Sequence, residues 1–85
     1  SWYSLIGKKK LENLIGQLHA KGHHKLYINE NGQIYIQNGD TAEIKDCFDY
    51  FPPRNDWDIL ISIFQKDELT AKEKDQALEL SWIKE

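Results

Sequence analysis

Three histidines, one cysteine and one pair of aspartates are the residues whose types and spacing come nearest to chemistry. His19, His23 and His24 sit among Lys21 and Lys25. Histidines four apart on a helix can share a metal ion. Gly22 interrupts any helix between His19 and His23, however, and no neighbouring carboxylate or thiol completes the four ligands of a structural zinc site. The cluster reads as a polar helix end, with no metal expected. Cys47 is the sole thiol. It falls on an apolar stripe with Ile44, Phe48 and Phe51, where a thiol is inert packing material, so it is assigned to the core. Asp56 and Asp58 flank Trp57. Two carboxylates beside a ring can act as acid and base, but aspartates at the start of a turn or helix commonly serve as caps. The chain contains no Gly-x-Ser-x-Gly, no glycine-rich phosphate loop and no His-Glu-x-x-His. The expectation is a protein without catalytic machinery and without a cofactor.

What remains is a surface, and the elements that shape it follow from pattern. The 85 residues have room for one globular domain spanning 1–85. Its three Trp, four Tyr and three Phe supply the large rings a small core needs. Residues 1–7 read as an extended arm. From Lys8, the residues Leu11, Leu14, Ile15 and Leu18 recur at i, i+3, i+4 and i+7, which marks one face of a helix. Leu5 falls off that face, and Gly22 stops the helix. Segment 25–37 reads as a β-hairpin: Leu26-Tyr27-Ile28 and Ile34-Tyr35-Ile36 surround Glu30-Asn31-Gly32. A three-residue loop with Gly32 left-handed pairs Tyr27 with Tyr35 and Ile28 with Ile34. This register collects Leu26, Ile28, Ile34 and Ile36 on one face, and a single apolar face is what fixes strand register.

Thr41–Phe51 reads as a second helix, capped by Asp40 and Glu43 and ended by Pro52-Pro53. Asp46 and Asp49 then lie on its outer side. Trp57–Gln65 carries both a helical spacing and a run of β-branched residues (Ile59, Ile61, Ile63), and it is assigned as a buried strand. Thr70 with Glu73 resembles a capping box, so Ala71–Ile83 is assigned as a helix. The alternation of Leu78, Leu80 and Trp82 competes as an edge strand. The predicted fold is an α+β two-layer sandwich in the order arm, α, β, β, α, β, α.

Charge is unevenly distributed. Residues 1–27 carry five lysines against one acid, whereas residues 28–85 carry six basic and thirteen acidic side chains, for a net −3. The acidic body with its rings directs attention to a basic protein partner, met by Asp46, Asp49, Tyr50, Asp56, Trp57 and Asp58. Complementary charge orients such a partner and aromatic anchors hold it. The leading expectation is therefore a protein–protein interaction module, such as a small acidic inhibitor, immunity protein or adaptor. The alternative is nucleic-acid binding by a basic strip, Lys8, Lys9, Lys10, His23, His24 and Lys25, beside the rings of Tyr27 and Tyr35. That alternative requires the two signs of charge to be segregated, because phosphate binding scales with the cations that reach it.

A third reading is a cytoplasmic domain tethered to a membrane through an upstream segment, since Trp2 and Tyr3 followed by three lysines resemble an interfacial flank. The chain begins at Ser1 rather than Met, which reads as a piece of a longer protein. No apolar run reaches the ~18 residues of a spanning helix, and the longest, Ile59–Phe64, is broken by Ser62. One cysteine forms no internal disulfide, so the expected compartment is the cytoplasm.

Overall fold

The computed structural model describes residues 1–82. A wide π-helical turn, Tyr3–Gly7, runs directly into α1, Lys8–Ala20. The first residues are thus the start of the helix rather than an extended arm. This also explains the three lysines. They lie inside the helix rather than at its positive N-terminal end, where their charge opposes the helix dipole. Leu11, Leu14 and Leu18 form the buried stripe and Leu5 stands out at 82 % exposure. Gly22 closes α1 at φ +90. The His23 N–H reaches the Leu18 carbonyl at 2.9 Å and that of Gly22 reaches His19 at 3.0 Å, the two bonds of a Schellman cap.

The chain then makes β1, Lys25–Ile28, and β2, Gln33–Asn38, in the register read from the sequence: Tyr27 faces Tyr35 and Ile28 faces Ile34. Gly32 sits at φ +81. Its N–H donates to the Asn29 carbonyl, and the Asn29 side-chain oxygen accepts from the N–H groups of Asn31 and Gln33. A Cβ on Gly32 meets the Phe48 carbonyl oxygen at 2.7 Å and the Phe51 Cβ at 2.9 Å, whereas one on Gly39 (φ +64) meets nothing within 4 Å. Gly39→Ala is therefore expected to cost about 1–2 kcal/mol of backbone strain. Gly32→Ala adds roughly 1–3 kcal/mol of overpacking to the same strain. Urea denaturation of the two variants checks the difference.

Three assignments are corrected. Residues 41–47 are not a helix but β3, Thr41–Cys47, paired antiparallel with β2. Gly39 and Asp40 form a two-residue hairpin loop that sets Thr41 opposite Asn38, so Asp40 is a turn residue rather than a helix cap. Residues 57–65 are not a strand but α2, Trp57–Lys66. The helical spacing outweighs the β-branching here: Trp57, Leu60 and Phe64 are buried and Ile59 is not. Residues 70–81 are not a helix but a hairpin of β4, Thr70–Lys74, and β5, Ala77–Ser81. Its loop residues Asp75 and Gln76 both take positive φ, as a mirror-image type I′ turn demands. The competing alternation was the informative signal. β5 is nevertheless no edge, because it lies between β1 and β4. Ile83 of the predicted helix lies outside the described residues.

The result is an α+β fold. Five antiparallel strands run in the order β3-β2-β1-β5-β4. Leu26, Ile28, Ile34, Ile36, Leu78 and Leu80 form one buried face with Leu11, Leu14, Leu18, Leu60 and Phe64 of the helices. β3 contributes no buried side chain, and Cys47 is exposed rather than in the core. Native protein is accordingly expected to react with a thiol-specific disulfide reagent as completely before unfolding as after it. A thiol that reacts only in denaturant contradicts this placement.

Candidate functional site

The N-terminal turn and α2 enclose a groove of about 250 Å³ lined by Trp2, Tyr3, Pro52, Asp56, Ile59 and Ile63, among others. Each wall is held by interactions that can be named. Trp2 sets its ring edge-on to Phe48 and Phe51, at centroid separations of 5.0 and 5.3 Å. Its indole N–H donates to the Asp49 carbonyl at 2.9 Å. Gly7 lies under that ring, and a Cβ there sits 2.6 Å from two ring carbons, so only glycine leaves the indole its place. Tyr3 packs edge-on against Phe64 and donates its hydroxyl to Asp67 at 2.5 Å. Burial, reinforced by the adjacent Asp67, pushes the Tyr3 phenol well above its ordinary pKa, so it stays a donor. Trp57 is 2 % exposed and gives its N–H to the Pro52 carbonyl, which fixes the proline wall.

On these walls sit apolar groups open to solvent. Ile59 is 64 % exposed and Ile63 is half-buried. They stand one helical turn apart, off the Trp57–Leu60–Phe64 stripe, and so present a short apolar ridge. Asp56 lines the groove at the N-cap of α2 and Asp58 lies in the first turn of that helix, where a carboxylate suits the dipole. Asp49 is joined to Trp2 through its backbone, and Tyr50 beside it is 86 % exposed.

Of the residues singled out for a basic partner, Asp49, Tyr50, Asp56 and Asp58 are exposed on elements that border this groove. Asp46 is elsewhere, on β3, with Lys10 3.6 Å away. Trp57 is interior and anchors the groove from beneath rather than meeting a partner. Ile59, Ile63, Trp2 and Pro52 were missed. Once 57–66 is read as a helix, the i, i+4 spacing of Ile59 and Ile63 off the core stripe is the signal that finds them.

The basic strip divides. Lys8 pairs with Asp67 at 3.8 Å, and Lys10 also donates to the Cys47 carbonyl at 2.9 Å, so both brace α1 against the fold. Lys9 is exposed on the same helix, and His23 and His24 lie in the link to β1. Lys25, Tyr27 and Tyr35 belong to the opposite side, the sheet face turned away from both helices. Among the described residues no three His, Cys, Asp or Glu side chains cluster as metal ligands, and no helix is long and apolar enough to cross a membrane. Comparison with known proteins finds no match for this chain: no family model, no curated protein and no solved structure is similar to it.

Proposed function

We propose that this chain is a non-enzymatic protein-interaction module that docks an amphipathic, basic segment of another protein in the groove between the N-terminal turn and α2. The observation that carries the reading is the open apolar ridge of Ile59 and Ile63 beside Asp56, which lines the groove at the N-terminal cap of α2, with Asp58 exposed in the first turn of that helix. Exposed apolar groups gathered in a polar-rimmed hollow mark contact surfaces. Carboxylates at the rim select a partner bearing Lys or Arg and speed its approach. The ring-lined walls are held by hydrogen bonds and edge-on packing, so little conformational freedom is lost on binding. An inhibitor or adaptor role suits such a surface.

The test uses a fluorescently labelled amphipathic helical peptide of Leu and Lys, and a second peptide with every Lys replaced by Glu. Anisotropy should rise on adding the protein to the basic peptide and not to the acidic one, with affinity falling as salt increases. Equal binding of both peptides, or none of either, overturns the reading.

A further inference from the structure

The sheet face away from the helices carries a second, chemically different surface. Cross-strand pairing sets Ile44, Tyr35, Tyr27, Glu79 and Lys72 in one line across all five strands, which spans about 19 Å at the usual strand spacing. At its centre the Tyr27 and Tyr35 rings stack with centroids 5.4 Å apart and planes 20° from parallel. Beside them is a hollow of about 260 Å³ lined by both rings, Gln37, Lys74 and Asp75. Next to the rings Lys25, Lys72 and Lys74 converge on Glu79 at 4.0, 3.7 and 3.7 Å.

Glu79 is 8 % exposed, and its Oε2 has no hydrogen-bond partner among the described residues. A carboxylate so placed must be offset by nearby cations, and it holds three ammonium groups that themselves remain open to solvent. One carboxylate cannot neutralise three lysines. The nearby turns add Asp75 and Glu30, the latter paired with Arg54 at 3.3 Å, whereas Glu43, Asp46 and Glu73 point to the opposite face, paired across from Ile36, Ile34 and Leu78. A locally positive, ring-bearing face thus lies on a chain of net charge −3. This is the segregation of charge that phosphate binding requires.

We propose that this face binds single-stranded nucleic acid, with bases stacked on Tyr27 and Tyr35 and backbone phosphates on Lys25, Lys72 and Lys74. Rings accept any base through its flat face, and lysines take phosphates as point charges. The Gln37 amide and the Lys74 ammonium, at the rim of the hollow, offer donors to a base edge. A duplex hides its bases from such a platform, so the face discriminates against it. The site shares no residue with the groove, and the two stand or fall separately.

The test is titration of labelled oligouridylate, with a duplex of equal length and inorganic tripolyphosphate as competitors. The single strand should bind at low salt, with log K falling against log salt at a slope of about −2 for three phosphates. Lys72→Ala with Lys74→Ala should reduce that slope to about −0.7. Tyr35→Leu should weaken binding roughly tenfold, whereas Tyr35→Phe, which keeps the ring, should bind as the parent does. Far-UV circular dichroism of each variant establishes that it is folded, and Tyr27→Leu, which removes the other ring of the stack, carries the ring test if Tyr35→Leu is not. No binding, equal binding of the duplex, full displacement by tripolyphosphate with Tyr35→Leu unimpaired, or a dimer of the chain abolished by Tyr35→Leu each overturns the proposal.

Discussion

Phe64→Ala is expected to remove about 3–5 kcal/mol of stability and leave most of the protein unfolded, while Ile59→Ala in the same helix changes stability by about 0.5 kcal/mol or less. Phe64 is fully buried, edge-on to Tyr3, in the layer where α2 meets the sheet. A chain this short has a net stability of about 5 kcal/mol, so the loss of one such ring consumes nearly all of it. Ile59 points to solvent and leaves no cavity when truncated. The contrast separates helix from strand. In a buried strand, Ile59, Ile61 and Ile63 share a face and Ile59→Ala costs about 2–5 kcal/mol, as a core truncation does. Guanidinium denaturation of the two variants decides it, and comparable losses contradict the helical assignment of 57–66.

That segment shows where the sequence was ambiguous. Its β-branched content and its helical spacing pointed in opposite directions, and periodicity won because one stripe, Trp57–Leu60–Phe64, suffices to cover the sheet. The 25–37 hairpin was legible to the residue: Asn31-Gly32 fits a two-residue turn as well as a three-residue loop, and the demand for a single apolar face chose between the two registers. The first helix and its glycine stop were legible for the same kind of reason. β3 was not. It is an edge strand with no buried side chain, so no hydrophobic alternation records it, and Asp40 with Glu43 imitated a cap. The last hairpin was hidden by its turn, since Asp75-Gln76 lacks the glycine that ordinarily marks a type I′ loop. Half of the candidate site was legible as acidic and aromatic residues near 49–58. Its apolar half was not, because it appears only when α2 is a helix and the first residues fold back as one.

Ile59→Lys is expected to abolish binding of the basic Leu/Lys peptide, by roughly a hundredfold or more. Burying the isoleucine side chain against a partner contributes about 1.5–3 kcal/mol, and an ammonium in its place adds repulsion. Ile59→Ala, which only truncates, should lose somewhat less. Asp56→Lys with Asp58→Lys leaves the apolar ridge intact but inverts the rim. It should weaken binding about tenfold at low salt, an effect that shrinks as salt screens the charges. The stability of all three variants should stay within about 1 kcal/mol of the parent, since exposed changes at a helix start cost little beyond the dipole. Binding lost equally in Asp46→Lys, on β3 away from the groove, indicates a general charge effect rather than docking at this site.

Both surfaces follow from one arrangement, in which two helices cover one side of a five-stranded sheet and leave the other to solvent. The groove is the side on which the proposed function rests. Its most direct test is titration of isoleucine-methyl-labelled protein with the Leu/Lys peptide, followed by NMR. The methyl resonances of Ile59 and Ile63 should move together and saturate with the peptide, while Ile44 on the far sheet face stays in place. Shifts that leave Ile59 and Ile63 unmoved, or that centre on Ile44, contradict docking in the groove.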